Sequence, residues 1–184
     1  MRIGYDGKRA VMNNTGLGNY SRLLINVLAS RYPENQYLLY TPGLRKNPRM
    51  DEVLRHDNVR LVTPDDMTGR MLSGLWRVTG VSSQFKRDGI DLAHGLSGEL
   101  PLTIGESGIP SVVTMHDVIF RHYPQYYGDI DRRIYDYKFR RAVENATRVI
   151  AISECTKRDI IKFYGTDPDK ISVVYQGCAA QFHR

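Results

Sequence analysis

The sequence has little of the chemistry that marks secreted, metal-binding or membrane-spanning proteins. Its 184 residues include two cysteines, Cys155 and Cys178. They lack metal-ligand spacing and the density of a disulfide scaffold, so both thiols are expected to be reduced. No apolar run approaches the ~20 residues that cross a bilayer, and residues 1–20 lack the apolar core of a signal peptide. The expected location is the cytoplasm.

Length, composition and charge limit the class of protein further. A chain of this length can bury one core without disulfides. Hydrophobic residues make up 41% and charged residues 25%, which is ordinary for a globular domain and disfavours disorder. The net charge of +6 favours a partner with phosphate groups, whether a nucleotide, an anionic lipid surface or a nucleic acid. Charge alone does not choose among them.

Hydrophobic periodicity predicts an alternation of strands and helices. The predicted strands cover residues 2–5, 36–40, 58–62, 91–94, 111–115, 148–152 and 171–175. The predicted helices cover residues 17–31, 71–86, 129–146 and 154–164. In the first helix an apolar stripe is expected to face the core, formed by Tyr20, Leu23, Leu24, Val27 and Leu28. This alternation predicts an α/β fold, a Rossmann-like, doubly wound and mainly parallel sheet with helices on both faces.

A glycine-rich turn, Thr15 to Tyr20, joins the first strand to the first helix. The small residues Gly16 and Gly18 flank Leu17 and leave backbone amides exposed at the helix start. Such a turn lets an anionic group, most often a phosphate, approach the positive end of the helix dipole. The alternative is a tight turn that only saves space.

Polar residues follow the strands at the edge where a doubly wound sheet binds ligands. The loops after Tyr5, His94, Met115 and Ile152 form this candidate site. His116 and Asp117 come directly after a buried strand. His116 can donate a hydrogen bond to a sugar hydroxyl or a phosphate, with Asp117 fixing the loop. In the alternative reading, Asp117 caps a turn and His116 is a satisfied edge histidine.

Further candidates lie at neighbouring strand ends. His94 would face the same crevice if its strand adjoins that of His116. His94, His116, Asp117 and His122 lack HxH or HExxH spacing, so direct sugar and phosphate contacts are favoured over a metal. Ser153 begins a helix and either binds an anion or acts as a plain N-cap. Cys155, in the first turn of that helix, is interpreted as structural.

Residues 121–141 interleave tyrosines with basic residues. This composition suits sugar stacking or an anionic surface. Equally, the tyrosines could pack inward while the arginines stay solvated. Asp129, Asp131 and Asp136 dilute the positive charge, so the sequence predicts no nucleic-acid partner.

These motifs in this order resemble the N-terminal, acceptor-binding half of family 4 glycosyltransferases of the GT-B fold, especially bacterial mannosyltransferase-like members. The resemblance spans nearly the whole chain and rests on an ordered set of segments. They are Thr15–Tyr20, His94–Gly95, Thr114–Asp117, Ala151–Asp159 and Val173–Gly177.

The resemblance implies a retaining transferase that moves a hexose from a GDP- or UDP-sugar to a hydroxyl of a glycan or lipid-linked acceptor. Gly16, Leu17 and Gly18 would approach the donor phosphates, and His116 would contact the donor sugar with Asp117 supporting its loop. Three residues would line the acceptor side or the cleft: Asn19, His94 and Ser153. The departing phosphate would take the acceptor proton, and no metal or other cofactor is implied.

The resemblance also implies a second, donor-binding lobe that lies outside residues 1–184. We therefore expect the 184-residue form to have little or no transfer activity. A noncatalytic glycan- or nucleotide-binding module, or one subunit of a split transferase, is the alternative. A nicotinamide oxidoreductase is disfavoured because the second strand ends in Tyr40-Thr41 rather than in an acidic residue that would hold a ribose. A basic face with tyrosines would suit a peripheral enzyme at the inner face of the membrane.

Overall fold

The computed structural model describes residues 1–64 and 73–177, and these alternate between strands and helices. The strands are β1 (Arg2–Asp6), β2 (Gln36–Tyr40), β3 (Val59–Val62), β4 (Leu92–Gly95), β5 (Ser111–Met115), β6 (Arg148–Ala151) and β7 (Ile171–Val173). The α-helices are α1 (Lys8–Met12), α2 (Gly16–Arg31), α3 (Asp51–Leu54), α4 (Ser73–Leu75), α5 (Val81–Arg87), α6 (Ile119–His122), α7 (Asp129–Asn145) and α8 (Glu154–Tyr164). A π-helical turn, Trp76–Gly80, joins α4 to α5.

The strands form one seven-stranded sheet in the order β3-β2-β1-β4-β5-β6-β7. Every neighbouring pair is parallel. The chain builds β1, β2 and β3 outward in one direction and then returns to place β4 on the other side of β1. This confirms the predicted doubly wound, Rossmann-like fold.

Alternating side chains of β2 show how helices come to cover both faces of the sheet. Tyr37 and Leu39 pack in a core that also contains residues of α1, α2 and α3. Leu38 and Tyr40 belong to a separate core that includes Phe85 of α5. Because successive strand side chains point to opposite faces, a strand buried on both faces reads as one apolar run.

A third core lies under α7 and α8. Val113 of β5, Val149 of β6 and Ile171 of β7 pack there with Ala142 of α7 and Ile160 of α8. Four of these five side chains are at most 2% exposed, and Ile171 is 4% exposed. This core fixes the strand ends that carry the candidate site to the two helices that follow them.

The predicted core stripe of α2 is wrong in part. The buried apolar residues of this helix are Ile25 and Ala29, with Ser21 beside them. Tyr20, Leu24 and Leu28 pack against this core as predicted but are only partly buried, whereas Val27 is 39% exposed.

A buried arginine explains the rotation of α2. The Arg22 side chain, 6% exposed, donates from Nη1 to the carbonyl oxygens of Ala10 (2.7 Å) and Asn13 (2.8 Å). Carbonyl partners offset part of the cost of burying a cation. The face of α2 that holds Arg22 therefore turns toward α1, and the more apolar stripe moves toward the edge of the core.

The predicted helix over residues 71–86 is only partly described. Met71 and Leu72 lie outside the described residues. From Ser73 the chain forms α4, the π turn and α5 without a break. Phe85 is buried at 2% exposure, whereas Leu75 is 57% exposed.

Candidate functional site

The four loops that the sequence marked as a site meet at one edge of the sheet. β1, β4, β5 and β6 are consecutive neighbours and run in parallel. Their carboxyl ends therefore lie side by side, at the edge where such sheets bind ligands. The order of the strands also brings the ends of β1 and β4 together, at the point where the winding of the sheet changes direction.

His116, the first residue after β5, has both ring nitrogens engaged. Nε2 lies 2.9 Å from the carbonyl oxygen of Leu96, and Nδ1 lies 2.9 Å from the side-chain amide nitrogen of Gln176. A carbonyl only accepts hydrogen bonds, so Nε2 carries the hydrogen and Nδ1 is the acceptor. The tautomer is thus set by two partners at opposite sides of the ring.

The surroundings of His116 favour the neutral ring. Burial lowers the pKa of His116, while the Leu96 carbonyl and the Asp117 carboxylate oppose that effect. The Tyr20 ring meets the imidazole edge to face, with centroids 4.7 Å apart. Near neutral pH the nitrogen that faces Gln176 therefore accepts a hydrogen bond, whereas the sequence suggested a donor.

Asp117 lies in the turn that follows His116. Its Oδ1 accepts a hydrogen bond from the backbone N–H of Ile119 at 3.1 Å, and the side chain is exposed. This is the turn-capping geometry, and it orders the loop that carries the histidine. A direct role of Asp117 toward a ligand stays a prediction.

His94 is buried next to that loop. It is 8% exposed, and its Nε2 lies 2.9 Å from Thr114 Oγ1. The hydroxyl of Tyr20 is 3.4 Å from the same oxygen. Burial lowers the pKa of His94 to about 4. β4 does adjoin β5, as expected, but the His94 ring is held within the protein and offers little surface to a ligand.

The glycine turn at the start of α2 is partly filled by the protein itself. Asn13 Oδ1 accepts from the backbone N–H groups of Thr15 (2.8 Å) and Gly18 (3.3 Å). A Cβ at Gly18 would lie 1.9 Å from the carbonyl oxygen of Asn13, whereas a Cβ at Gly16 would meet nothing within 4 Å. Close packing therefore accounts for Gly18, and the open side of the turn lies at Gly16.

Two further predicted residues have structural partners. Asn19 Oδ1 accepts from Arg22 Nη2 at 2.6 Å. Ser153 Oγ accepts from the backbone N–H of Thr156 at 3.1 Å, which confirms the N-cap of α8. Thr156 in turn donates from Oγ1 to the carbonyl oxygen of His116 at 3.0 Å. Ser153 thereby helps to position the His116 loop through the first turn of α8.

The structure also places an ion network at this edge that the sequence reading missed. Arg77 donates to Asp6 at 2.6 Å and to Glu99 at 2.8 Å, and Lys138 lies 3.4 Å from the same Glu99 oxygen. Burial would raise the pKa of Glu99, but Arg77 and Lys138 outweigh it and hold that pKa below its usual value. Asp6 ends β1, so its place at the edge was a usable signal. Its partner Arg77 is 71 residues away along the chain, and Glu99 is 22 residues beyond Arg77. The sequence has no local signal for either of these contacts.

The remaining candidates do not come together. Within residues 1–64 and 73–177 no group of three or more His, Cys, Asp or Glu side chains is placed to hold a metal ion. His122 Nε2 lies 2.9 Å from Asp159 Oδ1 instead. Cys155 is free and exposed, and Cys178 lies outside the described residues.

Among the described helices none has the length and apolar character to cross a membrane.

Solved structures share this fold at low sequence identity. A glycosyltransferase from Rickettsia africae ESF-5 has a TM-score of 0.55 and 13% identity, over 96% of this chain and 42% of that chain. MurG from Acinetobacter baumannii has a TM-score of 0.51 and 11% identity, over 98% and 46%. A putative UDP-N-acetylglucosamine 2-epimerase from Listeria monocytogenes has a TM-score of 0.51 and 13% identity, over 92% and 43%. The chain spans less than half the length of each, and these similarities show the fold alone.

The sequence itself identifies the family. No sequence among the curated proteins matches the chain. The profile of Glycosyltransferase Family 4, however, matches residues 15–182, which include the glycine turn, β5 with His116, and the start of α8. With the doubly wound sheet of one GT-B lobe, this match means that the chain belongs to Glycosyltransferase Family 4.

Proposed function

We propose that the chain is the N-terminal, acceptor-binding domain of a retaining hexosyltransferase. Its donor is a GDP- or UDP-sugar, and its acceptor is a hydroxyl of a glycan or of a lipid-linked acceptor. The observation that carries the proposal is the neutral His116 ring at the carboxyl end of β5, with Nδ1 accepting from an exposed glutamine. A neutral ring nitrogen can accept a hydrogen bond from a sugar hydroxyl. It carries no positive charge that would attract a phosphate.

In the proposed reaction the bond from the anomeric carbon to the donor diphosphate breaks. A bond from the acceptor oxygen to that carbon forms on the same face, and the acceptor proton passes to the departing phosphate. His116 orients the sugar through Nδ1, which Gln176 would have to release, and Asp117 holds its turn. Amides of Gly16, Leu17 and Gly18 face the diphosphate. Asn13 would have to release the Gly18 amide in that complex. No metal or cofactor is part of the proposal.

The proposal includes a donor-binding lobe outside residues 1–184. The test is made on the longest product that the native cell makes from this reading frame, incubated with GDP- and UDP-hexoses and a panel of acceptors. We expect a chain of about twice this length that transfers sugar, and little or no transfer by the 184-residue form. Ready turnover by the 184-residue form would overturn the two-lobe proposal. A native product that ends at Arg184 and only binds glycan or nucleotide would favour the noncatalytic module.

Replacement of His116 tests the site. In the full-length enzyme, His116→Ala should lower kcat by about tenfold or more, since it removes a hydrogen bond to the reacting sugar. His56→Ala is the matched control, because His56 bonds to Asn26 beside α2 and β3. An unchanged kcat in His116→Ala, with normal activity of the control, would remove His116 from the proposed site.

We also propose contact with an anionic membrane surface, through an exposed face of α7. Ile130 is 76% exposed, Ile134 44% and Tyr137 54%. Their spacing of four and three residues puts them on one side of the helix, and Arg133 is exposed beside them. Apolar and aromatic side chains with a neighbouring arginine suit the interface of an anionic bilayer.

Vesicle binding tests this surface. Ile130→Asn/Ile134→Asn should bind vesicles containing phosphatidylglycerol more weakly than the unaltered chain in a sedimentation assay at low salt. Leu44→Asn is the control, because Leu44 is 70% exposed on the loop after β2. Absence of vesicle binding at low salt, or equal losses in both variants, would remove the proposed membrane contact.

A further inference from the structure

The ion network of Arg77, Asp6, Glu99 and Lys138 lies at the point where the winding of the sheet reverses. β1 lies between β2 and β4, so the chain leaves β1 in one direction and later returns on the other side. Asp6 ends β1, and Glu99 lies in the loop that follows β4. A crevice at such a reversal is the usual ligand site of doubly wound sheets. The network therefore stands at the position where this fold most readily binds a ligand.

Both carboxylates of the network are already occupied. Asp6 accepts from Arg77 at Oδ2 and from the backbone N–H of Lys8 at Oδ1. Glu99 accepts from Arg77 and from Lys138 at the same oxygen. The side chains of Arg77, Asp6 and Glu99 are only 12–14% exposed. Each carboxylate therefore already balances one bound cation of the network.

Two further cations lie beside the network. Lys8 and Arg9, both half-buried, begin α1 directly after Asp6 and Gly7. Across the part of the chain that the structure describes, neither side chain has a hydrogen-bonding or ion-pairing partner. With Arg77 and Lys138 they make four positive charges around two negative charges. Burial lowers the pKa of Lys8, and the charges of Arg77 and Arg9 lower it further, while Glu99 and Asp6 oppose them in part.

We propose that this cluster, formed by Lys8, Arg9, Arg77 and Lys138 around the two carboxylates, binds a phosphate group carried by the acceptor. The proposal rests on the glycosyltransferase function proposed above and names its substrate class, an acceptor that carries a phosphate monoester on a sugar or on a lipid. A phosphate monoester near neutral pH carries nearly two negative charges, which matches the surplus of two. A carboxylate would neutralise only half of it.

The spacing of the strands supports an acceptor phosphate. β1 and β5 are separated only by β4, so their ends lie about 10 Å apart. His116 follows β5 and the cationic cluster follows β1. A single hexose ring with its phosphate spans this distance, so its hydroxyl could meet the donor sugar at His116 while its phosphate contacts Lys8 and Arg9. The glycine turn before α2, where the donor diphosphate is proposed, remains separate.

The test measures phosphate binding directly on the 184-residue chain by two-dimensional NMR. Titration with inorganic phosphate should give saturable shifts of the backbone amides of Gly7, Lys8 and Arg9 and of the Arg77 side chain. The double variant Lys8→Gln/Arg9→Gln should weaken binding about tenfold or more. The control Arg45→Gln/Lys46→Gln removes two exposed cations from the loop after β2 and should leave the affinity unchanged. Thermal unfolding of each variant checks that it is folded.

Three results would overturn the proposal. They are no saturable shift with phosphate, equal weakening in the control, and shifts confined to the glycine turn at residues 15–18. A second titration with UDP and GDP separates donor from acceptor. Competition of either nucleotide for Lys8 and Arg9 would assign the cluster to the donor instead. None of these measurements requires sugar transfer. If the chain binds phosphate at the cluster but no transferase activity is found, the proposed function fails while the phosphate site stands.

Discussion

Acid should destabilise the fold through His94, which is held neutral inside the protein. Its pKa falls from an ordinary value of 6.5 to about 4 because the ring is buried. The unfolded chain binds a proton at this histidine below about pH 6.5, and the folded chain only below about pH 4. Between those values the unfolded state holds more protons, so stability rises with pH and is lost as the pH falls. At about 1.36 kcal/mol per pH unit, this loss amounts to about 3 kcal/mol.

The substitution His94→Gln isolates this contribution. Glutamine keeps an amide that can bond to Thr114 but does not titrate. Urea unfolding followed by the fluorescence of Trp76 gives the free energy of unfolding near pH 7 and near pH 4. The unaltered chain should lose about 3 kcal/mol more than the variant on acidification, because all other titrating groups cancel in the comparison.

A second variant separates the charge of His94 from its hydrogen bond. Thr114→Val removes the oxygen that lies 2.9 Å from the imidazole but leaves the histidine buried. It should cost about 1 kcal/mol near pH 7 and keep the acid loss of the unaltered chain. If the unaltered chain and His94→Gln lost equal stability between neutral and acid pH, the buried neutral histidine would not be the cause.

Two further pairs of substitutions, each a test and its control, show how the candidate site is built. Gly18→Ala should lower stability by about 1–3 kcal/mol, because its Cβ would lie 1.9 Å from the carbonyl oxygen of Asn13. Gly16→Ala, with nothing within 4 Å, should not, and equal midpoints in urea for the two would contradict the packing explanation. Ser153→Ala should cost about 1 kcal/mol through loss of the N-cap. Ser30→Ala on the exposed side of α2 should cost nothing, and a Ser153 variant with unchanged thermal midpoint would show that the cap is dispensable.

Local pattern was enough to predict most of the sheet. The predicted ranges of β2 and β5 agree with the structure at both ends, because each is an apolar run buried on both faces and bounded by polar or turn residues. The last strand was predicted to Tyr175 but ends at Val173. Val174 and Tyr175 are of residue types that favour strands, but they are 52% and 70% exposed. Without burial at this edge of the sheet, their preference for a strand is not enough to extend it.

The face of α2 could not be predicted, because it depends on a contact outside the helix. Periodicity treats Arg22 as a polar residue that belongs in water. The structure buries it, since carbonyl oxygens of α1 and of the turn before α2 are within reach of its guanidinium. A sequence pattern records which residues are apolar but not which carbonyls will lie beside a cation. One buried arginine therefore shifted the predicted stripe away from the centre of the core.

The candidate site was predictable to the same extent as the sheet. His116 follows a buried strand, and the rule that ligands bind at carboxyl ends of strands is enough to select it. Its tautomer depends on Leu96 and Gln176, which are 20 and 60 residues away. Only the fold brings those partners to the two sides of the ring. The place of the histidine could therefore be predicted from the sequence, whereas its hydrogen-bonding role depends on contacts that only the fold creates.

The net charge alone did not choose among a nucleotide, a lipid surface and a nucleic acid as partner. Two different chemistries at one sheet edge help to choose among them. Near His116 the protein presents a neutral acceptor, which favours hydroxyls and does not attract anions. Two strands away, Lys8 and Arg9 extend a network whose carboxylates are already bonded, so the positive surplus is local. A nucleic acid would need positive charge along an extended backbone, whereas this cluster gathers its four cations at the end of β1. The separation of an uncharged sugar contact from a compact cationic site fits a small substrate that carries both hydroxyls and a single phosphate.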